Sequence, residues 1–351
     1  MKTSHIASLD GLRGVAAIMV VLYHGRYWLP GAPLFQSAYL AVDFFFCLSG
    51  FVISYAYDTR LQQGMTAWTF FRARLIRLYP MIAIGTALAA LLFAYQNYSA
   101  HVPPVQTLYG ILLPFAVLPN FFPGGPHTQL FPVNAPLWSL FFEIAINMTY
   151  AISFRFLTTR VIAVLEIGLF LWLCIAAQRH GLVFLGRYSD TFVGGIARTG
   201  FSFFAGVLIF RAFAAGKLPK IRIPVPVLAT VLIAFLTIDW AFIGAFQVDI
   251  FCVAVLFPLL VMAACQQRLL GWQLKCAATL GAVSYPIYAT HEPILLLLQH
   301  VFWHIFTDAG AADLAASLVF VALINWLFLR FYDKPLRSYL APAKDAAIAA
   351  E

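Results

Sequence analysis

Arg13 and His24 stand eleven positions apart, with ten almost wholly apolar residues between them, GVAAIMVVLY. At 3.6 residues per turn that spacing is close to three turns. One helix would therefore present both side chains on one face, about 16 Å apart along its axis. Ionisable groups in so apolar a stretch are costly to hold in a membrane, which marks them as candidate functional residues. A fixed cation and an imidazole spaced along one face suit a phosphate-bearing donor that reaches a base through a long arm. The structural alternative has Arg13 snorkelling at the helix end and His24 hydrogen-bonded to a neighbouring helix.

Further polar groups interrupt the apolar sequence. Asp10, three residues before Arg13, is placed to orient the guanidinium or to cap the helix start. Asp43, in AVDFFFCLSGF, is expected at a depth comparable with His24, where a carboxylate can fix an imidazole tautomer as in serine-hydrolase triads. Gly50 in the same stretch permits close helix contact. Arg72, Arg74 and Arg77 fall within six residues, and their guanidinium forks match phosphate geometry; the alternative is anchoring at the cytoplasmic surface. Ser139, Glu143 and Asn147 recur at i, i+4, i+8 beside Trp138 and make a polar stripe on one helix face. Glu143, about 9 Å deep on that helix, needs His24, a cation such as Arg198, or its own proton. Ser284, Tyr288 and His291 share another face, with Tyr285 and Glu292 adjacent. His291 is either a second wall of the site or a helix–helix hydrogen bond, the commoner role for a lone polar residue in a membrane. Glu166 is isolated in its apolar segment.

The elements that must position these groups are membrane helices. Of 351 residues, 62% are hydrophobic and 10% charged, with a mean hydropathy of +0.86, a balance of polytopic membrane proteins and of no soluble domain. Spanning-length apolar segments fall near 14–29, 38–57, 80–96, 137–154, 161–177, 191–210, 224–243, 250–266, 283–302 and 314–332. With a cytoplasmic N-terminus, eighteen of the 22 basic residues fall inside, leaving Arg26, Arg179, Arg187 and Arg198 outside. Both termini are then cytoplasmic, and the net charge of +8 reports topology rather than nucleic-acid binding. An eleventh apolar stretch, 105–122, would invert every later loop if it spanned. The region 97–136 around it holds eight of the nineteen prolines, so a re-entrant or lid segment is expected there. The expected fold is thus all-α, about ten spans and one such segment, with residues 1–340 as a single transmembrane domain and 341–351 as a short cytoplasmic tail. The N-terminal helix carries no cleavage pattern and reads as retained. The five cysteines form no metal or disulfide spacing, and no metal is expected.

The Arg13-to-His24 spacing, Val42-Asp43-Phe44-Phe45-Phe46-Cys47-Leu48-Ser49-Gly50-Phe51, Arg74-Leu-Ile-Arg77-Leu-Tyr-Pro80, Trp138-Ser139-Leu140 with Glu143, and Ser284-Tyr285-Pro286-Ile287-Tyr288 with His291 occur in this order. They resemble the acyltransferase family 3 membrane proteins, which O-acylate sugars, peptidoglycan, lipids or macrolides. The likeness covers nearly the whole chain. It implies a bacterial inner-membrane enzyme that takes an acyl group, usually acetyl, from cytoplasmic acyl-CoA. The group goes to a hydroxyl of a carbohydrate or glycolipid on the far side. Some relatives carry an appended esterase-like domain; the short stretch after the last span leads us to expect none here, and leaves open a helper protein or a homo-oligomer.

On that reading Arg13, Arg72, Arg74 and Arg77 hold the CoA phosphates. His24 acts as general base with Glu143 or Asp43 orienting it, or is itself acylated first. Trp138, Ser139, Asn147, Tyr288 and His291 wall the site. Aromatics of the outer loops (Trp28, Tyr95, Phe121, Phe122) either stack on sugar rings or form an interfacial belt. Two readings compete from other classes: a transporter or flippase of a lipid-linked sugar, which calls for internal symmetry not visible here, and a non-catalytic subunit of a polysaccharide export complex.

Overall fold

The computed structural model of the protein describes residues 6–29, 31–100, 102–121, 127–302 and 310–340. Phe122 and the 341–351 tail lie outside the described residues. Within them the chain is all-helical, with no strand and one isolated bridge between Gln129 and Tyr188. In chain order the helices are α1 (Ala7–Gly25), α2 (Ala41–Gln62), α3 (Ala67–Ser99), α4 (Pro104–Phe115), α5 (Leu137–Ser153), α6 (Thr159–His180) and α7 (Phe192–Ala214). There follow α8 (Val225–Thr237), α9 (Ala245–Phe251), α10 (Phe257–Ala264), α11 (Gly271–Phe302), α12 (Ala311–Phe328) and α13 (Lys334–Leu340). One π-helical turn, Cys252–Leu256, fuses α9 to α10, and another, Leu329–Asp333, fuses α12 to α13.

Helices underlie all ten expected apolar segments, and seven stretches are long and apolar enough to cross a bilayer unaided. These are Ala7–Trp28, Ala38–Gln62, Ala67–Ser99, Thr159–His180, Ser189–Ala214, Ala245–Ala264 and Ala311–Leu340. α5 and α8 are apolar but shorter, at 17 and 13 residues. Two boundaries differ from expectation. α1 begins at Ala7, which puts Arg13 in its second turn rather than at its end. Thr66 Oγ1 accepts from Thr69 N at 3.2 Å and caps α3 well before the apolar run, so Arg72, Arg74 and Arg77 are helical residues.

The 105–122 stretch is helical only over the 12 residues of α4, about 18 Å against a hydrocarbon core of about 30 Å. The helix ends just before Val117, which takes a left-handed φ of 53°. α4 lies along α3: Asn97 Nδ2 donates to Thr107 Oγ1 at 3.0 Å, and the Tyr79 hydroxyl donates to the Phe115 carbonyl at 3.1 Å. Its exposed side chains Val105, Leu108, Tyr109 and Leu112 form one outward apolar stripe.

Two helix pairs frame the site. α2 crosses α7 at facing glycines: a Cβ on Gly50 would fall 1.8 Å from the Phe203 carbonyl oxygen, and one on Gly206 would fall 2.0 Å from that of Cys47. Only backbone can occupy that space. α1 and α11 run parallel in register, Gly11 against Ala277 and Gly14 against Leu280 at one end, and the Tyr27 hydroxyl bonding the Leu295 carbonyl at the other.

Candidate active site

Arg13, Arg60, Arg74, Arg77, Glu143 and Tyr285 contribute to the wall of an open cavity of about 1480 Å³, counting the space at its mouth. The arginines arrive from three helices. On α3 a 100° step per residue places Arg74 and Arg77 on one face and Arg72 on the other. Arg72 is accordingly exposed and lies off the cavity, so it does not join its two neighbours there. Arg60, from the last turn of α2, does. Arg13 is held by three contacts: Nε donates to Ser284 Oγ at 2.8 Å, Nη2 donates to the Gly281 carbonyl at 2.9 Å, and Nη2 pairs with Asp10 Oδ1 at 2.9 Å. It is a wall residue and also a bolt between α1 and α11. Asp10 takes the orienting role expected of it.

Glu143 does not meet His24. Its Oε1 accepts from Arg74 Nη2 at 3.1 Å and from Ser49 Oγ at 3.2 Å, which neutralises a carboxylate the apolar surroundings would not otherwise tolerate. Arg74 is buried, and its Nε has no hydrogen-bond partner. Asn147, four residues beyond Glu143, is buried away from the cavity with both amide atoms unpaired, so it does not wall the site as expected. Ser139 donates to the Pro136 carbonyl at 2.9 Å and shares a short hydrogen bond with the Tyr288 hydroxyl.

His24 lies at the other end of the same bundle. It lines a vestibule of about 1140 Å³, counting the space at its mouth, together with Tyr23, Arg26, Tyr27, Gln36 and Arg187. It also lines a tight passage, about 500 Å³ counting the open space around it, with Trp138, Arg187, Arg198, Tyr288 and His291. The passage shares Tyr23, His24 and Arg187 with the vestibule, and Val42, Tyr288 with the arginine cavity. The three cavities thus adjoin one another through shared wall residues, with His24 in the walls of two of them.

The ring beside His24 belongs to His291, edge-on at 4.9 Å between centroids. His291 does not hydrogen-bond another helix. Its Nδ1 lies 3.1 Å from the Ile287 carbonyl and 2.9 Å from that of Tyr288, both on its own helix. Two acceptors around Nδ1 place the proton there and leave Nε2, buried and unpartnered, as an acceptor in the passage.

Asp43 is likewise not bonded to His24. Both its oxygens bind Arg198, Oδ2 to Nη2 at 2.6 Å and Oδ1 to Nε at 2.8 Å. Arg198 Nη1 donates to the Leu182 carbonyl at 2.9 Å, and the guanidinium carbon lies 5.2 Å from the Trp138 ring centroid. The pair is fully enclosed, at 1% and 0% exposure. Trp138 and Arg198 therefore wall the passage, and Asp43 holds that wall in place. Trp28 is buried, whereas Tyr95 and Phe121 are exposed.

Sequence reasoning missed Arg60, Arg187 and the Tyr39 hydroxyl, which donates to Asp249 at 2.7 Å behind Arg198. In the sequence Arg60 and Arg187 stand out only as topology charges. No short-range spacing links them to the site, since each arrives from a different helix or loop.

Residues 6–330 match the family described as an acyltransferase domain, and the chain belongs to this family, the acyltransferase family 3 membrane proteins. It is an integral membrane protein by that membership and by its apolar helices. It is 39% identical over 154 residues to Protein 2 in picA locus of Rhizobium radiobacter, an alignment covering 41% of this chain and 79% of the relative. A Bacillus subtilis (strain 168) protein, YrhL, provisionally named a peptidoglycan O-acetyltransferase, is 25% identical over 381 positions, covering 96% of this chain and 56% of its own. The Acyltransferase MdmB of Streptomyces mycarofaciens is 28% identical over 163 residues, covering 44% and 40%. Nearly the whole chain thus aligns with only about half the length of YrhL. No solved structure matches it.

Proposed function

We propose that the protein moves an acyl group, acetyl by the names of its relatives, from cytoplasmic acyl-CoA to a hydroxyl of an extracytoplasmic carbohydrate or glycolipid. The observation that carries this is the chain of cavities: an arginine-lined chamber, a passage holding His24, and a vestibule opening at the opposite end. A phosphate-bearing donor and an alcohol can approach one imidazole from opposite sides. The bilayer then crosses the bundle between Arg77 and Arg26, with α5, α8 and α11 completing ten spans beside the seven self-sufficient ones. α4 serves as the re-entrant segment. This puts both termini in the cytoplasm of a bacterial inner membrane.

Arg60, Arg74 and Arg77 suit the donor's phosphates. Arg74 Nε, buried without a partner, is the kind of unsatisfied donor that an oxyanion would complete. Glu143 keeps Arg74 in place. Tyr288 and Ser139 stand at the neck where the donor's thioester would enter the passage. His24 takes the proton of the acceptor hydroxyl as its oxygen attacks the thioester carbonyl. The carbon–sulfur bond breaks, and the thiolate of the leaving CoA recovers a proton. His291 is a positioning residue that packs edge-on against the neighbouring imidazole. Acylation of His24 before transfer is the two-step variant, and burst kinetics separate the two.

Wild type and His24→Ala, brought to equal membrane abundance and given labelled acetyl-CoA, are expected to differ by at least about 100-fold in O-acetyl transfer to surface glycans, the usual worth of a general base. Equal labelling would remove His24 from the chemistry. Translocation of a lipid-linked sugar by both proteins, without acetyl transfer, would establish the transporter reading instead.

A further inference from the structure

The vestibule around His24 has a definite charge. Its lining holds two guanidinium groups, Arg26 and Arg187, with the Tyr23 and Tyr27 rings and the Gln36 amide, and no carboxylate. Arg26 is fixed in place, Nη1 donating to the Tyr23 carbonyl at 2.6 Å and its guanidinium carbon 3.8 Å from the Tyr23 ring centroid. Arg187 lines the vestibule and the passage alike, and its Nε is buried without a hydrogen-bond partner. Among the described residues neither arginine forms an ion pair with Asp or Glu. Glu292, which follows His291 on α11, lines neither cavity and forms no direct ion pair with Arg187, although the two lie close enough to interact electrostatically.

A guanidinium that has no direct ion pair draws anions, and its unpaired N–H is completed by an oxyanion. We propose that the acceptor is anionic. It carries a carboxylate or a phosphate close to the hydroxyl that receives the acyl group, Arg187 binds that group, and Arg26 reinforces the field. The closeness follows from Arg187 sharing the passage with His24, so anion and hydroxyl lie within one or two sugar units of each other. The proposal rests on the acyltransferase reading and narrows its substrate class.

Purified full-length protein, labelled acetyl-CoA and three acceptors test it: methyl glucuronoside, glucose 1-phosphate and neutral methyl glucoside. At least one anionic acceptor should exceed the neutral one by about tenfold in kcat/KM, the effect of one charge-assisted contact. Preference for the carboxylate alone points to a uronic or similar acidic sugar, and preference for the phosphate alone to a sugar phosphate or lipid-linked sugar. Arg187→Gln should collapse the ratio to about one through KM, and Arg187→Lys should keep part of it. A wild-type ratio near one overturns the proposal. So does an Arg187→Gln loss of equal proportion for charged and neutral acceptors.

Occupancy is read separately by modification of His24 with diethyl pyrocarbonate, followed by mass spectrometry of its peptide. The anionic glycosides should slow the modification, the neutral one should not, and Arg187→Gln should abolish the protection. Protection without transfer to any acceptor would sink the transferase reading while upholding the anion site. Absence of differential protection would sink the anion site whatever the transfer assay shows.

Discussion

Asp43 and Arg198 show what burial does to the meaning of a residue. A carboxylate beside a catalytic imidazole and a carboxylate locked to an arginine leave the same trace in the sequence, one Asp in an apolar run. With 0% and 1% exposure and two direct contacts, the pair has little free valence for chemistry. Asp43→Asn or Arg198→Gln should each cost about 3–5 kcal/mol by leaving a charge buried alone. A matched apolar double replacement should recover much of that. Melting temperature in detergent reads both, and a loss of turnover without loss of stability would return Asp43 to the catalytic machinery. At this scale the sequence was informative where partners share a helix. That Ser139 and Glu143 share one helix face, and line one cavity, follows from periodicity alone. It was silent where partners lie on different helices: Arg74 finds Glu143 across 69 positions and Arg198 finds Asp43 across 155. Several arrangements of the same buried charges balance equally well, and only packing chooses among them.

Helices were legible because membrane-spanning segments must be apolar, and every expected segment has a helix beneath it. Their ends were less so. The apolar signal marks the hydrocarbon core, whereas α3 starts at a threonine cap and continues well past it. The 105–122 stretch was ambiguous for a related reason: mean hydropathy does not distinguish a span from a 12-residue helix laid along α3. Contact between helices has its own predictable chemistry. Gly50→Ala or Gly206→Ala would push a methyl group into a carbonyl oxygen of the partner helix and force α2 away from α7. The expected cost is about 3 kcal/mol, the upper part of the overpacking range. Gly64→Ala is not a control, since that residue has a left-handed φ of 94°. Gly168→Ala is one, because nothing lies within 4 Å of its added Cβ. Unchanged melting of Gly50→Ala would show that the crossing is looser than described.

For the whole molecule, the positive charges predict the sidedness that the proposed reaction requires. In a cysteine-free background, a cysteine at Gln36 should react with an impermeant maleimide from outside intact cells, and one at Gln63 only after permeabilisation. The reverse pattern would place the arginine chamber outside and exclude a cytoplasmic donor. The parallel packing of α1 on α11 has a consequence for how such a machine can vary. The contacts that seat Arg13 on Ser284 and those that bring His24 to His291 belong to one interface, closed beside Arg13 by Gly14 against Leu280. The two rods behave like the jaws of a calliper with one setting. Sliding them to suit a different donor would also re-aim the imidazoles, so changes of acceptor or donor should accumulate in loops and cavity walls while this shared spacing stays fixed.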